Sequence, residues 1–528
     1  NFTPPRLIAA SKRKPCLLKI LNAPEAAQRK LGVVLSYVNI FVSTILTLVY
    51  TPFFLRALGQ SEFGLYSLAS SVIGYLAILD LGFGNAVTVY TAKYASSGEV
   101  ERTHKLHGTI FSVYLVMSAV IVIAGAALLA NLHAIFGAKL SASEMGEIRI
   151  MLMLLTANLA ISFPFSIYSS ILTAHENFVF IKLIGIFRTI ALPLAAVPAL
   201  LLGYKAIAIV IIATAVNLIC VAADFIYCKS KVSPVISVRN FDAPTLKQIF
   251  GYSFFIFLGI VVDQVNWNVD NFILGAVAGA TAVSTYAVAS TINATFVTLS
   301  LTISGVMLPK IAKMVSANST DSELSAEFIK IGRLQFYVIF FIASLLVIFG
   351  REFIVLWAGA NYEISYAIAL ILVLPVSVPL IQNLGLAVLQ AKNKVKFRSI
   401  AAFCVTLVNI AISIPLAKAY GGVGAACGTA FAITLLNICV MNIYYARVIG
   451  LDIAKFWRNI GAMVVKFAPA IAVSLAINYA LGLHGVSFLL ICGGLYSAMF
   501  VLSAYFWAMN DYERAIFGGI AAKIRRRA

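Results

Sequence analysis

The sequence predicts an all-α membrane protein that crosses the bilayer fourteen times, and its composition and charge distribution carry this prediction. Of its 528 residues, 61% are hydrophobic and only 11% are charged, whereas about 25% of the residues of a soluble globular protein are charged. Apolar segments repeatedly reach the roughly 20 residues that a helix needs to cross a bilayer. These segments do not show the alternation of transmembrane β-strands, which argues against a β-barrel.

The apolar segments define fourteen candidate spans, joined by connections too short to fold as separate soluble domains. They lie at approximately 31–55, 63–89, 109–131, 150–172, 183–203, 206–227, 249–275, 282–308, 334–357, 364–389, 400–417, 422–446, 461–482 and 485–508.

The distribution of basic residues supports this count. If the N-terminus is cytoplasmic, the inner segments hold 32 of the 39 Lys and Arg residues and the outer loops hold six, with Lys466 inside span 13. This bias is the positive-inside rule, so we predict that both termini are cytoplasmic. The net charge of +19 therefore faces anionic membrane lipids, and it does not require a nucleic acid partner.

An internal repeat relates the first six spans to the next six. The segment GQSEFGLYSLASS (59–71) matches GATAVSTYAVAST (279–291) without a gap, at an offset of 220. The segment ILTAHENFVF (171–180) is similar to VLQAKNKVKF (388–397). Because six spans form each copy, the two lobes have the same orientation in the membrane, as in transporters with parallel repeats.

These features divide the chain into six regions. They are a basic cytoplasmic N-terminal segment (1–30), a first lobe (31–228), a cytoplasmic linker (229–248), a second lobe (249–447), two additional helices (448–509) and a basic cytoplasmic tail (510–528). The scattered His and Cys residues form no pattern that predicts a metal site.

Span 7 carries an unusual polar stripe. Asp263, Asn266 and Asp270 have i, i+3 and i+7 spacing, which places them on one helix face, and Gln264 and Asn271 flank that face. A polar stripe cannot face lipid, so it must face a water-filled cavity or other helices. We expect a cavity that binds sugar hydroxyls, water or a coupling cation. The alternative is that the aspartates hold helices together.

The repeat makes this stripe asymmetric. At the offset of 220, Asp263 and Asp270 correspond to Ser43 and Tyr50, so the first lobe lacks both carboxylates. Span 1 offers weaker polar candidates for the same cavity, namely Asn39 and Ser43.

Ionisable residues inside a membrane are costly and are functional candidates by default. Arg188, early in span 5, is a candidate for binding an anionic headgroup, with snorkelling to the interface as the alternative. Five further basic residues lie at predicted inner helix ends, where they would form a basic vestibule or serve as ordinary positive-inside anchors. They are Lys182, Lys330, Arg333, Lys394 and Arg398. Asp80, in LDLGFGNAV, is expected to have a structural or gating role near a helix end.

Three stretches resemble one family. TPFFLRALGQSEFGLYSLASSVIGYLAILDLGFGNAV (51–87), PLIQNLGLAVLQAKNKVKFRS (379–399) and YGGVGAACGTA (420–430) are similar to the polysaccharide-transporter branch of the multidrug/oligosaccharidyl-lipid/polysaccharide exporter superfamily. The resemblance implies that spans 1 and 7 line the cleft between the lobes. It also implies a fourteen-helix flippase for lipid-linked O-antigen, capsule or exopolysaccharide repeat units in the bacterial cytoplasmic membrane.

By this resemblance, the expected substrate is an undecaprenyl-diphosphate-linked oligosaccharide moved by alternating access, and a polysaccharide polymerase and chain-length machinery are expected partners. No nucleotide-binding motif GxxxxGK[ST] occurs. We therefore expect no cofactor, and energy from the substrate gradient, the membrane potential, or coupled H⁺ or Na⁺ with Asp263 or Asp270 as the ion site. The resemblance implies a transporter without enzymatic activity. The alternatives are a cation-coupled multidrug exporter and a lipid II-type flippase. A polymerase or ligase is disfavoured because no large outer loop is predicted.

Overall fold

The computed structural model is all-helical over the residues that it describes, which are 24–304, 311, 314–315, 317, 319–392, 394–481 and 485–515. Residues 1–23 of the predicted N-terminal segment and 516–528 of the predicted tail lie outside this range. The main helices are α1 (Glu25–Ala77), α2 (Phe83–Ser97), α3 (Val100–Ala130), α4 (Ala142–Ala174), α5 (Phe178–Leu201), α6 (Ala206–Lys231), α7 (Ala243–Val277), α8 (Ala280–Ser304), α9 (Asp321–Ala358), α10 (Ile364–Ile381), α11 (Asn383–Ala391), α12 (Val395–Ile433), α13 (Ile453–Leu481) and α14 (Gly485–Ser503).

Eleven helical stretches of the described chain are long and apolar enough to cross a membrane, which makes this a multi-pass membrane protein and confirms the predicted fold class. Two of them, of 71 and 55 residues, would extend about 107 and 83 Å as straight helices, far more than one crossing. Non-helical backbone at Gly59 in α1 and at Gly421 in α12 divides each. The exact number of crossings and the side of the termini stay predictions.

The internal repeat is visible in the backbone. Gly59, between spans 1 and 2, has φ of 76°, and its counterpart Gly279, between spans 7 and 8, has φ of 87°. Left-handed backbone of this kind favours glycine, because a side chain would clash there. Gly203 and Gly421 likewise have positive φ, between spans 5 and 6 and between spans 11 and 12. Equivalent turns in the two lobes therefore use equivalent residues.

The most extensive hydrophobic packing between the lobes lies at one end. One hydrophobic cluster contains residues of both lobes, from Phe54 and Leu68 in α1 to Val283 in α8 and Ile368 in α10. These residues lie at the helix ends that the charge distribution places outside. Toward the predicted inner side, a cluster around Tyr114 belongs to the first lobe together with the start of α7. A separate cluster belongs to the second lobe.

The two C-terminal helices extend the second lobe. α13 and α14 pack against each other and against α9. Their aromatic side chains continue the second-lobe cluster, for example where Phe467 stacks on Phe500 with ring centroids 4.3 Å apart. The extension therefore enlarges one lobe rather than bridging the two.

Candidate functional site

The polar residues of α7 point in three directions rather than one. Asp263 and Asn266 line a cavity within the second lobe. Asp270 is buried in a hydrogen-bonded network of the same lobe, with only 1% of its surface exposed. Gln264 and Asn271 face the first lobe. The single stripe that the spacing predicts is thus divided among a cavity, a buried network and the lobe interface.

The second-lobe cavity has a volume of about 510 Å³ and mixes charges with amides. α7 contributes Asp263 and Asn266, and α12 contributes Arg398, whose positive charge attracts the exposed Asp263 carboxylate. Further polar wall residues are Gln382, Asn383, Ser399 and Asn437. Carboxylate, guanidinium and amide groups offer both donors and acceptors, which suits a ligand rich in hydroxyl groups.

Asp270 connects three helices beside this cavity. Its Oδ2 accepts a short hydrogen bond from the Tyr286 hydroxyl of α8 and a 2.6 Å hydrogen bond from Thr429 Oγ1 of α12. Asn409 donates to Thr429 Oγ1 at 3.3 Å, and Ser413 donates to Asn409 Oδ1 at 2.8 Å. Asp270 Oδ1 is buried without a hydrogen-bond partner among the described residues. A buried carboxylate oxygen in that state is costly unless a proton or cation satisfies it.

The third direction leads to α1. Asn271 Nδ2 donates to Ser71 Oγ at 3.0 Å across the lobe interface. Gln264 Oε1 accepts from Asn268 Nδ2 at 2.5 Å, and this pair lies against Gly74. These contacts connect the lobes directly, so any separation of the lobes must break them.

The first-lobe candidates are placed apart from the second-lobe cavity. Asn39 Oδ1 accepts a 3.3 Å hydrogen bond from Thr189 of α5. Arg188, next to Thr189, is exposed and interacts electrostatically with Asp224 of α6. Ser43 is half-buried on α1. The first lobe thus has its own small polar group, which includes one acid and one base.

The five basic residues predicted as a vestibule are distributed over several places. Arg398 lines the second-lobe cavity, whereas Lys330 and Arg333 line a different pocket beside α13. Lys394 Nζ donates to the Val448 carbonyl at 3.2 Å, and Lys182 lies near the start of α5.

Asp80 occupies a break between α1 and α2. It ends the short 3₁₀ turn Ile78–Asp80, and Leu81 follows in the left-handed conformation. Its Oδ1 accepts a 2.9 Å hydrogen bond from Tyr114 of α3, whose ring is fully buried. This geometry joins the break to α3.

A sequence profile described as polysaccharide biosynthesis protein matches residues 31–315, which is more than half of the 528 residues. The chain belongs to this family. A protein of Shigella flexneri named a putative O-antigen transporter is 23% identical over 421 residues, covering 78% of this chain and 96% of that protein. The resemblance read from the sequence is thereby confirmed.

Solved structures share the fold. A lipid II flippase, MurJ, in an inward closed conformation has a TM-score of 0.70 at 18% identity, covering 90% of this chain and 98% of that one. An inward-facing multidrug resistance transporter of the MATE family, in the MOP superfamily, has a TM-score of 0.62 at 12% identity, with coverage of 84% and 98%. At these identities the similarity establishes the architecture alone.

The sequence did not predict the hydrogen-bonded network around Asp270. Tyr286, Asn409, Ser413 and Thr429 surround Asp270, yet hydroxyl and amide residues at such spacing are common inside transmembrane helices. The sequence contains only a weak indication of this network. Asn409 and Ser413 are four residues apart, so they share one face of α12, but nothing local indicates that this face meets Asp270.

Proposed function

We propose that this chain is a flippase that moves undecaprenyl-diphosphate-linked oligosaccharide repeat units across the bacterial cytoplasmic membrane for surface polysaccharide synthesis. Family membership and the name of the Shigella flexneri relative support a polysaccharide substrate. The transporter name of that relative and the fold shared with a lipid II flippase and a MATE transporter support a membrane transporter rather than an enzyme of the same pathway. A polysaccharide polymerase and chain-length proteins would then receive the product outside.

The observation that carries the proposal is the pairing of two unlike cavities. The second-lobe cavity is polar and charged, as described above. A second cavity of about 320 Å³ lies where α1, α8, α9 and α14 meet, and its walls are almost entirely apolar, including Leu48, Phe353 and Leu489. Together they fit a ligand with a hydroxyl-rich head and a hydrocarbon tail, because each part enters surroundings of matching polarity.

The packing supports alternating access. Both lobes contribute to the hydrophobic cluster at the predicted outer ends, while the inner clusters belong mainly to one lobe each. Breaking the outer contacts and closing the inner ends would expose the same cavity to the other side, as in transporters built from repeats. In this proposal the present arrangement is the one that admits substrate from the cytoplasm.

Asp270 is the proposed coupling site. Its unpartnered Oδ1 and the hydroxyl groups of Tyr286 and Thr429 beside it could hold H⁺ or Na⁺ through oxygen ligands. The same side chains connect α7, α8 and α12 within the second lobe. Loading of this site would therefore bias the arrangement of those helices, which is what coupling requires.

A cation-coupled multidrug exporter is the second candidate, favoured by the exposed Asp263 carboxylate in the cavity wall, which would attract a cationic drug. A lipid II-type flippase is the third, and the pair of polar and apolar cavities would suit it too. These candidates differ in the compound that accumulates when transport stops.

The test starts from deletion of the gene. We expect lipid-linked repeat units to accumulate on the cytoplasmic side and surface polysaccharide to be lost, and a plasmid-borne copy should restore both. Accumulated lipid II with normal surface polysaccharide would replace the proposal with the third candidate. Sensitivity to cationic dyes with unchanged polysaccharide would replace it with the second.

Cavity variants then localise the activity. Asp263→Asn and Arg398→Gln each remove one charge from the cavity wall, so we expect translocation to fall about tenfold at unchanged protein levels. Lys396→Gln is the matched control, because Lys396 is exposed on the same helix two residues from Arg398. Normal transport in both cavity variants would exclude this cavity as the headgroup site.

A further inference from the structure

A basic pocket lies between α9, α13 and the residues that follow α14. Its volume is about 660 Å³, and its walls include Lys330 of α9 and Lys455 and Lys466 of α13. Arg333 contributes a fourth cation, and the described wall residues include no carboxylate. Among the described residues, this pocket and the second-lobe cavity share no wall residue.

Among the described wall residues, one of the four cations has a carboxylate partner. Arg333 Nε and Nη2 donate to Glu513 at 2.6 and 2.8 Å in a largely buried ion pair, so the charge of Arg333 is already compensated. The Lys330 ammonium lies 3.6 Å from the centroid of the Tyr512 ring, a contact that holds it in place without cancelling its charge. Lys455 and Lys466 are exposed to the pocket.

Lys466 is unusually deep for an exposed cation. It lies 11 residues beyond Lys455 on α13, which corresponds to about 16 Å along the helix axis. It is also inside the stretch Ile453–Ile477 that is apolar enough to span the membrane. A cation at this depth is costly unless a polar cavity or an anion accompanies it. Here the cavity also brings Lys330 and Lys455 to the same space.

A smaller apolar pocket lies about one helical turn farther along α9, toward the membrane interior. It has a volume of about 180 Å³, and its walls come from α9, including Phe336 and Phe340, from α10, and from Ile471 of α13. Basic groups near the predicted inner surface, followed by an apolar recess toward the membrane interior, match the two parts of a phospholipid. Both pockets border α13 of the C-terminal extension.

We propose that the pocket formed by Lys330, Lys455 and Lys466 binds the phosphate headgroup of an acidic phospholipid from the inner leaflet. The ligand would hold α13 and the end of α14 on α9, and its site would be distinct from the transported substrate's. Basic pockets between transmembrane helices on the cytoplasmic side recognise anionic headgroups in this way. The inference does not rest on transport activity.

The test measures lipid retention by the full-length protein. The chain is purified from nanodiscs that contain equal phosphatidylglycerol and phosphatidylethanolamine, and the bound lipids are quantified by native mass spectrometry. Wild type should retain phosphatidylglycerol preferentially. The combined variant Lys330→Gln, Lys455→Gln, Lys466→Gln should lose affinity for it by about a hundredfold, because each lysine near the surface contributes roughly fivefold.

A matched control removes the same charge elsewhere. Lys93, Lys229 and Lys247 are exposed at the predicted inner side of the first lobe and the start of α7, and their triple Gln variant should keep the preference. Equal loss in both triple variants would overturn the proposal in favour of diffuse surface charge. Absence of any preference in wild type would overturn it as well. Should the pocket triple variant fail to fold, Lys466→Gln alone should weaken retention about fivefold.

A competition arm separates phospholipid from substrate. Lipid-linked diphosphate added to the nanodiscs should leave the bound phosphatidylglycerol unchanged if the pocket is a phospholipid site. Displacement of that phosphatidylglycerol at equimolar amounts would overturn the proposal, because the pocket would then belong to the substrate pathway. Neither result depends on whether the protein transports anything.

Discussion

The first half of α1 and the whole of α7 hold equivalent places in the two lobes but differ in polarity. α1 packs along α5, and α7 packs along α12, whose first half corresponds to α5 in the repeat. At equivalent positions α1 carries Ser43 and Tyr50, whereas α7 carries Asp263 and Asp270. The same packing role is therefore filled once without carboxylates and once with two.

This difference argues that the acids are not needed to build a lobe. Burying an ionisable group costs free energy unless hydrogen bonds or charges compensate it, and the first lobe avoids that cost at the equivalent place. The second lobe accepts it and surrounds Asp270 with hydroxyl groups from α8 and α12. At these equivalent positions the carboxylates are thus confined to the second lobe, while the fold is shared by both.

The largest effect is expected from neutralising Asp270, which removes a carboxylate that α7 has and α1 lacks. Asp270→Asn keeps the volume and an oxygen acceptor for Tyr286 and Thr429, but it removes the charge on which coupling would depend. We expect translocation of lipid-linked repeat units to fall by about tenfold or more, within the usual range of coupling free energies. The measurement is the rate of substrate exposure in inverted vesicles under an imposed H⁺ or Na⁺ gradient.

The control for Asp270 is its counterpart in the first lobe. Tyr50 has a buried hydroxyl without a partner among the described residues, so Tyr50→Phe removes a polar atom at the equivalent position. If coupling depends on the second lobe alone, Tyr50→Phe should change the translocation rate less than twofold. Similar losses in both variants would show that the two lobes contribute alike, and the comparison would fail.

Much of the fold could be predicted because its determinants are local or periodic. Long apolar segments require helices in a membrane, and the predicted spans coincide with helical segments throughout the described chain. The repeat correctly paired Gly59 with Gly279, since both turns need a positive φ. Even so, α10 and α11 divide the predicted span 364–389 at Gln382, a break that average hydropathy does not indicate.

The site was less predictable because its contacts join distant helices. The spacing of Asp263 and Asp270 placed them on one face of α7, but the width of a helix lets neighbouring positions meet different surroundings. Asp270 meets Thr429, 159 residues away, and Asn271 meets Ser71, 200 residues away. Periodicity within one helix contains no information about which other helix packs against it.

A second comparison concerns the outer contact between α1 and α8. A Cβ on Gly64 would lie 1.9 Å from the Ala280 carbonyl oxygen, whereas its repeat counterpart Ser284 carries a side chain that donates to Tyr362. Gly64→Ala should therefore force the lobes apart at the outer end. Overpacking of this kind costs about 1–3 kcal/mol, so the outward-open population should rise about fivefold or more.

The readout is labelling of a cysteine in the shared outer cluster. Ala287→Cys is a conservative change at a buried position, and a membrane-impermeant maleimide added outside should modify it about fivefold faster when Gly64→Ala is present. Gly146→Ala is the matched control, because a Cβ there meets no atom within 4 Å. Equal labelling rates in the two backgrounds would show that this contact does not hold the outer side closed.

The smallest expected effect concerns how α1 and α7 begin. Pro24 gives the described start of α1 no side-chain cap, whereas Asp242 Oδ2 accepts from the Thr245 backbone at 2.9 Å and caps α7. Asp242→Ala should lower the hydrogen-exchange protection of the Thr245 amide about fivefold, while Asp242→Asn should retain it.

The hydrogen bonds from Thr245 hold the pKa of Asp242 below its usual value. The charged cap is therefore complete above that usual value, near pH 4, and is lost as pH falls through the lowered pKa. Wild type and Asp242→Asn should consequently differ only in acid, and a difference at neutral pH would mean that the Asp242 charge, rather than its hydrogen bond, holds the start of α7.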